Sequence, residues 1–266
     1  MKALVIGDSC IDKFTYGSAD RLCPDVPAPV FSPLFTSETS GMAGNVYDNF
    51  KDIGASCELI TNEEEITKHR YVDSKTNHTF LRVDNPLTCD RISEERLSSV
   101  LSYIDKFDAV AISDYGKGFL LEEDIRKICE SHDKVFLDTK KAIGDWCKDV
   151  AFIKINTPEF EATRASIEGI NSKKWANKLI VTRGGLGCMM WKDTGFNYYP
   201  TKKVDVFDLS GAGDTFLCCL IYDYIRSNNI NSAIEFANEC SSIVVQKKGV
   251  STINKKDLQC INTKLS

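Results

Sequence analysis

The stretch Asp205-Val206-Phe207-Asp208-Leu209-Ser210-Gly211-Ala212-Gly213-Asp214-Thr215-Phe216 decides how the rest of this 266-residue chain is interpreted. A short strand is expected to end at Asp208, and the apolar run at 216–222 predicts a buried helix. Gly211, Ala212 and Gly213 therefore lie at a helix start. The unpaired N–H groups and the positive dipole end of such a start attract an anion.

Asp214 follows these glycines at the edge of the predicted anion pocket. A carboxylate there is well placed to take a proton from a hydroxyl that attacks a bound phosphate. The alternative is an ordinary glycine turn in which Asp214 only favours the helix dipole, and the pattern alone leaves both open. The Gly-Lys-Ser/Thr phosphate loop and the three-glycine dinucleotide motif are excluded, because Asp214-Thr215 and Phe216 occupy the deciding positions.

Composition narrows the class of protein. Hydrophobic content of 42% and charged content of 27% are typical of a soluble globular protein, and a net charge of −5 argues against a nucleic-acid partner. The N-terminus does not resemble a signal peptide, and no apolar run reaches membrane-spanning length. The 11 cysteines include no Cys-x-x-Cys pair, which favours reduced core residues in a cytoplasmic protein over a metal site.

Strand and helix patterns alternate along the chain and predict a doubly wound, mainly parallel sheet flanked by helices, in a single domain spanning 1–266. Segments near 12–40 and 66–85 are expected to form a small β lid, with a hairpin at 67–83 and a stiff, proline-rich stretch at 21–29. An antiparallel edge is predicted at 188–199. Two long helices, near Ala212–Arg226 and Ser232–Gln246, are expected to complete the fold.

Polar residues follow four predicted parallel strands, where open α/β sheets bind ligands. These segments are Ser113–Gly118, Asp138–Lys140, Asn156–Glu159 and Thr182–Gly187. Lys117 and Lys140 could hold phosphate charge or be solvated surface residues, and Arg70 and Arg82 could bind a sugar phosphate or be exposed lid charges. Asn156 and Glu159 could place hydrated Mg²⁺, Glu159 acting through water, although Glu159 could equally be a favourable first-turn charge.

Several of these segments together resemble the ribokinase-like (PfkB) carbohydrate kinases. The resembling segments are Gly41-Met42-Ala43-Gly44-Asn45 with Gly54-Ala55, then Asn156-Thr157-Pro158-Glu159, then Gly211 to Phe216. Within that family, Arg21–Val30, Thr67–Arg70, Leu81–Asp84, Ser113–Gly118 and Gly249–Thr252 are similar to kinases of D-glycero-β-D-manno-heptose 7-phosphate. The resemblance covers nearly the whole chain and implies a ribokinase-like fold.

The resemblance also implies site residues. The acceptor sugar phosphate would contact Asp12, Gly41, Asn45, Lys68, Arg82 and Asp84, together with Lys117. Gly211, Ala212 and Gly213 would cradle the transferred phosphate, and Asp214 would be the base. ATP would be held by Thr182, Gly185 and Asn238, with Lys140 and Asn156 beside its phosphates, and Mg²⁺ would bridge those phosphates. A monovalent cation is a further cofactor that the resemblance leaves open.

The chain departs from the family pattern at three places. Met42 replaces a second glycine, the 60–67 interval is short, and Asp138-Thr139-Lys140 replaces Asp-Pro-Lys. No nucleotidyltransferase segment follows, so a kinase-only form is expected. The leading hypothesis is an ATP-dependent kinase that forms heptose 1,7-bisphosphate, working as a homodimer through the lid. The alternatives are a kinase of another sugar, sugar phosphate or nucleoside, and a non-catalytic sugar-phosphate sensor.

Overall fold

A central eight-stranded sheet organises the computed structural model, which describes residues 1–169, 172–193 and 195–265. The strands of this sheet are β1 (Lys2–Gly7), β4 (Ser56–Ile60), β7 (Ala109–Asp114), β8 (Val135–Thr139), β9 (Phe152–Asn156), β10 (Leu179–Thr182), β11 (Cys188–Lys192) and β12 (Gly195–Tyr199). They lie in the order β12-β11-β10-β9-β8-β7-β1-β4, and the strands from β4 to β10 run parallel. Strands β11 and β12 form the predicted antiparallel edge.

Helices cover both faces of this sheet. They are α1 (Ala43–Asp52), α2 (Glu94–Leu101), α3 (Glu122–Ser131), α4 (Thr157–Gly169), α5 (Ala212–Ser227), α6 (Ile230–Val244) and α7 (Lys255–Leu265). Side chains of α1, α5, α6 and α7 form one apolar core against the sheet, and those of α2, α3 and α4 contribute to a second core on its other face. Continuous apolar strands buried on both faces are typical of doubly wound sheets, so the predicted fold class is confirmed.

A second, four-stranded sheet stands beside the first. Its strands are β2 (Ser9–Leu22), β3 (Pro29–Met42), β5 (Thr67–Asp73) and β6 (Thr79–Asn85), in the order β3-β2-β5-β6. The β5–β6 hairpin lies where the sequence predicts it, and the segment near 12–40 forms the rest of the expected β lid, as two 14-residue strands, β2 and β3, whose bounds the sequence analysis did not give. Most of β3 is exposed and carries serine, threonine and proline, so it lacks the apolar alternation of a half-buried strand.

Two other expectations near the C-terminus are wrong. No strand ends at Asp208, because the N–H groups of Phe207 and Asp208 both donate to the carbonyl of Val245 and do not join a strand ladder. The fold is not completed by two long helices, because α7 follows α6 and packs Leu258 and Ile261 into the core. Among the described residues, no helix combines the length and the apolar character needed to cross a lipid bilayer.

Candidate active site

The first turn of α5 lies where the carboxyl ends of the central strands meet the small sheet. Gly211 precedes the helix with a φ of 81°, in the left-handed region that glycine adopts without strain. A Cβ atom at Gly211 would also lie 2.6 Å from Nδ2 of Asn45, so a side chain has no room here. The glycine therefore allows α1 and α5 to approach each other, and this approach brings Asn45 to Asp214.

Asp214 is buried, with 3% of its surface exposed, and both of its carboxylate oxygens accept hydrogen bonds. Asn45 Nδ2 donates to Oδ2 over 2.9 Å, and Tyr115 Oη donates to Oδ1 over 2.8 Å. Burial raises the pKa of Asp214 from 3.8 to about 6, although these two hydrogen bonds pull it down. A carboxylate whose pKa lies this close to neutrality suits a general base.

A charged cavity of about 350 Å³ opens on one side of Asp214, and we call it the acceptor cavity. Its lining residues are Asp12, Met42, Lys68, Arg70, Arg82, Tyr115, Lys117, Ser210, Gly211 and Asp214. Gly41 lies against Asp12, since a Cβ at Gly41 would be 2.1 Å from Oδ2 of Asp12. The structure thus brings together the predicted acceptor residues, with Asp84 held to Arg82 by two hydrogen bonds of 2.7 Å.

The cations of the acceptor cavity differ in their partners. Arg70 forms an ion pair with Asp12 over 2.5 Å, and Arg82 forms one with Asp84. Across the described parts of the chain, neither Lys68 nor Lys117 has a carboxylate oxygen within 4.0 Å. Lys68 is nevertheless 92% buried, given its exposed fraction of 8%. A buried ammonium group without a carboxylate partner favours an anionic ligand in this cavity.

A second cavity, of about 200 Å³, lies on the other side of the first turn of α5, and we call it the nucleotide cavity. Ala212 and Gly213 line it, together with the predicted ATP residues Thr182, Gly185 and Asn238. Nδ2 of Asn238 donates to the carbonyl of Tyr199 over 2.9 Å, so this side chain also holds the end of β12. Glycine backbone and apolar side chains, including Phe216 and Val245, make up much of the remaining wall.

Asn156 and Glu159 form a reciprocal cap at the start of α4. Oδ1 of Asn156 accepts from the N–H of Glu159 over 3.0 Å, and Oε2 of Glu159 accepts from the N–H of Asn156 over 2.7 Å. Oε1 of Glu159 contacts Nζ of Lys140. Both carboxylate oxygens of Glu159 therefore already have a hydrogen-bond partner, as expected of a favourable charge in the first turn of a helix. Lys140, Asn156 and Glu159 do not line the nucleotide cavity.

Three residues of the site were given no role by sequence reasoning: Tyr115, Asp138 and Lys154. Nζ of Lys154 bonds to Oδ2 of Asp138 over 2.6 Å, and a Cβ at Gly213 would lie 2.9 Å from that Nζ. Burial lowers the pKa of Lys154, but the Asp138 carboxylate outweighs burial and the net shift is upward, so the ammonium stays charged beneath Gly213. A lysine inside the otherwise apolar strand β9 is the signal that could have revealed it.

A buried carboxylate at a glycine-rich helix start, between two cavities, is the arrangement of a phosphotransferase. The family description "pfkB family carbohydrate kinase" matches residues 51–257, and the chain belongs to that family.

Individual relatives agree with this assignment. The bifunctional protein HldE of Desulfatibacillum aliphaticivorans is 27% identical over 309 residues, an alignment that covers 97% of this chain and 62% of that protein. The chain thus spans less than two thirds of this curated relative. Ribokinase from Thermotoga maritima superposes with a TM-score of 0.75 at 16% identity, covering 98% of this chain and 99% of the other. Arabidopsis thaliana ribokinase complexed with ribose and ATP gives 0.69 at 14% identity, with 97% coverage of both chains.

Proposed function

We propose that the enzyme transfers the γ-phosphate of ATP to a sugar phosphate, with Asp214 as the general base. One observation carries this proposal: the first turn of α5 separates the two cavities, with Asp214 and Gly211 on the acceptor side and Ala212 and Gly213 on the nucleotide side. A phosphate held at this turn would be within reach of groups bound in either cavity. Burial at the junction strengthens the electrostatic interactions there.

The chemistry follows from the residues at this junction. The acceptor hydroxyl gives its proton to the Asp214 carboxylate while its oxygen forms a bond to the γ-phosphorus. The bond from that phosphorus to the bridging oxygen breaks, and ADP leaves with the electron pair. The N–H groups of Gly213 and Asp214 would face the charge that develops on the transferred group, since the first N–H groups of a helix lack intrahelical partners. Those of Ala212 and Thr215 already donate to the carbonyls of Leu209 and Gly211. Lys154 adds a positive charge beneath Gly213.

The charge of the acceptor cavity supports a phosphorylated acceptor. Among the residues that the structure describes, neither Lys68 nor Lys117 has a carboxylate oxygen within 4.0 Å, and a neutral sugar or nucleoside would leave the buried Lys68 ammonium uncompensated. The similarity to HldE proteins and the sequence motifs at 21–30, 67–70 and 113–118 favour D-glycero-β-D-manno-heptose 7-phosphate, giving the 1,7-bisphosphate. The predicted roles of Asp12, Gly41, Asn45, Arg82 and Asp84 in holding this sugar form part of the proposal.

The nucleotide side is proposed to bind ATP with Mg²⁺. Thr182, Gly185 and Asn238 line a cavity beside the first turn of α5, while Lys140 and Asn156 lie outside it at the α4 cap. Glu159 lies beside Lys140 at this cap and is proposed to contact Mg²⁺ through water. Within the described residues, the acidic group Glu94, Glu123 and Asp124 lies on other elements, where Arg91 pairs with all three.

ADP release with Mg-ATP tests the proposed function. The panel contains heptose 7-phosphate, sedoheptulose 7-phosphate, fructose 6-phosphate, ribose and adenosine. Turnover with heptose 7-phosphate and not with ribose or adenosine is the expected result. Turnover with ribose or adenosine alone would overturn the proposal that the acceptor is phosphorylated. Sugar-phosphate binding without any turnover would identify a sensor.

A homodimer through the small sheet is also part of the proposal. Leu81 and Val83 on the edge strand β6 are 55% and 45% exposed, and they alternate with Arg82, which faces the acceptor cavity. An apolar face on an edge strand is suited to pairing with a second copy of the chain. Sedimentation equilibrium of the protein and of Leu81→Lys would test this, with a monomeric variant and a dimeric parent as the expected outcome. A monomeric parent would contradict it.

A further inference from the structure

We infer that Tyr115 is a positioning residue, which holds the candidate base Asp214 as an oriented carboxylate and gathers Lys68 and Lys140 around its ring. The inference rests on the proposed function, in which Asp214 accepts the acceptor proton. Tyr115 belongs to the loop after β7, between the acceptor cavity and the α4 cap. It lies in the family-like segment Ser113–Gly118, in which the sequence analysis gave a role to Lys117 alone. Three sets of contacts carry the inference.

The first set fixes the carboxylate. Tyr115 Oη and Asn45 Nδ2 each donate to one oxygen of Asp214, over 2.8 and 2.9 Å, so the plane of the carboxylate is held from two directions. Desolvation and the neighbouring Asp214 charge raise the pKa of Tyr115, so its phenol stays protonated and acts as the donor. Donors to a buried carboxylate favour its charged form and offset part of the cost of burial.

Other ionisable groups also face Asp214. They are Cys10, Asp12, Lys68, Arg70, Arg82, Lys117, Asp138 and Lys154. Asp138 and Lys154 neutralise each other over 2.6 Å, and Asp12 and Arg70 do so over 2.5 Å. Among the described residues, only Asn45 and Tyr115 donate hydrogen bonds to the Asp214 side chain. The Tyr115 hydroxyl is therefore the titratable partner whose removal should change the proton affinity of Asp214 most.

The second set fixes Tyr115 itself. The buried carboxylate of Asp8, 1% exposed, accepts the N–H groups of Tyr115 over 2.7 Å, Lys117 over 3.3 Å and Phe119 over 3.2 Å. Asp8 follows β1 in the central sheet. Three main-chain donors on one side chain tie the loop to that sheet, so the position of the Tyr115 ring is fixed by the fold.

The third set surrounds the ring. Nζ of Lys68 lies 5.0 Å from the ring centroid and Nζ of Lys140 lies 5.2 Å from it, both within cation–π range. Lys68 lines the acceptor cavity, whereas Lys140 contacts Glu159 at the α4 cap. One aromatic ring thus contacts both Lys68, proposed to bind the acceptor, and Lys140, proposed to bind ATP. The hydroxyl and the ring have separable roles, which substitution can distinguish.

The pH dependence of kcat/KM tests the hydroxyl. Tyr115→Phe keeps the ring and removes only the hydrogen-bond donor, so the pKa of Asp214 should rise. The acidic limb of the pH profile of kcat/KM should therefore move to higher pH by about one unit. Tyr103→Phe is the matched control, because Tyr103 Oη donates to Glu58 Oε1 over 2.7 Å away from the site. The Tyr103→Phe variant should show the same acidic limb of the pH profile as the parent protein. A limb unchanged in Tyr115→Phe would overturn the role of the hydroxyl.

A carbon-13 NMR titration of the Asp214 carboxyl separates this inference from the proposed function. The signal is assigned by its loss in Asp214→Asn and then followed in the parent protein and in Tyr115→Phe, with no substrate present. An upward shift of about one unit supports the inference even if no sugar in the panel is phosphorylated. An unchanged titration refutes it even if the enzyme is an active heptose kinase.

The ring is tested by comparing Tyr115→Leu with Tyr115→Phe. Losing the aromatic face should raise the KM for both the acceptor and ATP about threefold above the values of the phenylalanine variant. The two variants should share the same displaced acidic limb, since both lack the hydroxyl. Equal KM values in the two variants would show that the aromatic ring has no role in substrate binding.

Discussion

The acceptor cavity and the nucleotide cavity meet at the first turn of α5, yet different chemical groups line them. Charged side chains from β2, β5 and β6 and from the loop after β7 surround the acceptor cavity. Glycine backbone and apolar side chains account for much of the nucleotide cavity. Under the proposed function, the acceptor would be selected mainly by charge, and the nucleotide mainly by shape and main-chain groups, with Lys202 and Lys203 as the charged side chains of its cavity.

This difference determines which substitutions affect each substrate. Removing a charged side chain of the acceptor cavity should weaken acceptor binding and leave ATP binding unchanged. Adding a side chain to a glycine of the nucleotide cavity should do the reverse. A change at Asp214, which lies between the two, should reduce the rate without weakening the binding of either substrate.

Asp214→Asn is expected to have the largest effect. Turnover should fall by about 10³-fold, because an amide cannot accept the acceptor proton. Binding of ATP and of the acceptor, followed by calorimetry, should change little, since asparagine has nearly the same volume. Undiminished turnover would show that Asp214 is not the base.

The same substitution should stabilise the fold at high pH. Burial raises the pKa of Asp214 from 3.8 to about 6 in the folded protein, so the native state binds this proton more tightly than the unfolded chain. The carboxylate therefore costs stability above about pH 6, and the cost disappears below about pH 4. Urea unfolding of Asp214→Asn should show a gain of about 3 kcal/mol at pH 8 and almost none at pH 4. An equal gain in stability at pH 8 and at pH 4 would contradict the raised pKa of Asp214.

Lys68→Met tests the acceptor side alone. Methionine keeps most of the apolar stem and removes the charge, so the acceptor KM should rise about 30-fold while the KM for ATP stays the same. Lys75→Met is the control, because Lys75 is an exposed residue in the β5–β6 turn of the same sheet. Equal effects on the two KM values would remove the distinction between the cavities.

Gly185→Val tests the nucleotide side. A Cβ at Gly185 would meet no atom within 4 Å, so the fold should tolerate the change while the new methyl groups occupy space in the nucleotide cavity. We expect the KM for ATP to rise about tenfold with little change for the acceptor. An unchanged KM for ATP, with the same melting temperature as the parent, would place the nucleotide elsewhere.

Local sequence patterns were sufficient to predict the central sheet and the start of α5. Continuous apolar runs identify buried parallel strands, and Gly211 and Gly213 before an apolar segment identify the start of a helix. The bounds of strand β3 could not be predicted within the expected β lid, because an exposed strand of a small sheet lacks the alternation of apolar and polar residues that marks a half-buried strand. The strand expected to end at Asp208 was wrong because its main chain pairs with Val245, which is distant in sequence.

The arrangement of the site was predictable only in part. Residues such as Asp12, Lys68 and Asp214 are recognisable because the short sequence motifs around them are distinctive. Tyr115 and Lys154 matter because tertiary folding places the hydroxyl of one on Asp214 and the ammonium of the other beneath Gly213. Neither contact has a local sequence signal that specifies its partner, so only the structure identifies them.

Met42 offers the finest comparison, because it and Gly211 occupy equivalent places before α1 and α5. Met42 has a φ of 59° and a ψ of −131°, a backbone conformation that favours glycine, yet its buried side chain packs with Cys10 and Ile66 beside the acceptor cavity. The protein thus retains a strained residue where a glycine would relax the chain. The side chain should therefore contribute to the fit of the acceptor.

Met42→Gly and Met42→Ala separate the side chain from the strain. Both variants lose the same apolar wall, so both should raise the acceptor KM about threefold and leave the KM for ATP unchanged. Only the glycine variant also relieves the positive φ, and it should therefore be more stable than the alanine variant by about 1 kcal/mol in urea unfolding. This is the reverse of the usual order, in which alanine is the more stable of the two in a folded chain. An alanine variant as stable as the glycine variant would show that Met42 carries no strain, and an unchanged acceptor KM in both would show that its side chain does not shape the cavity.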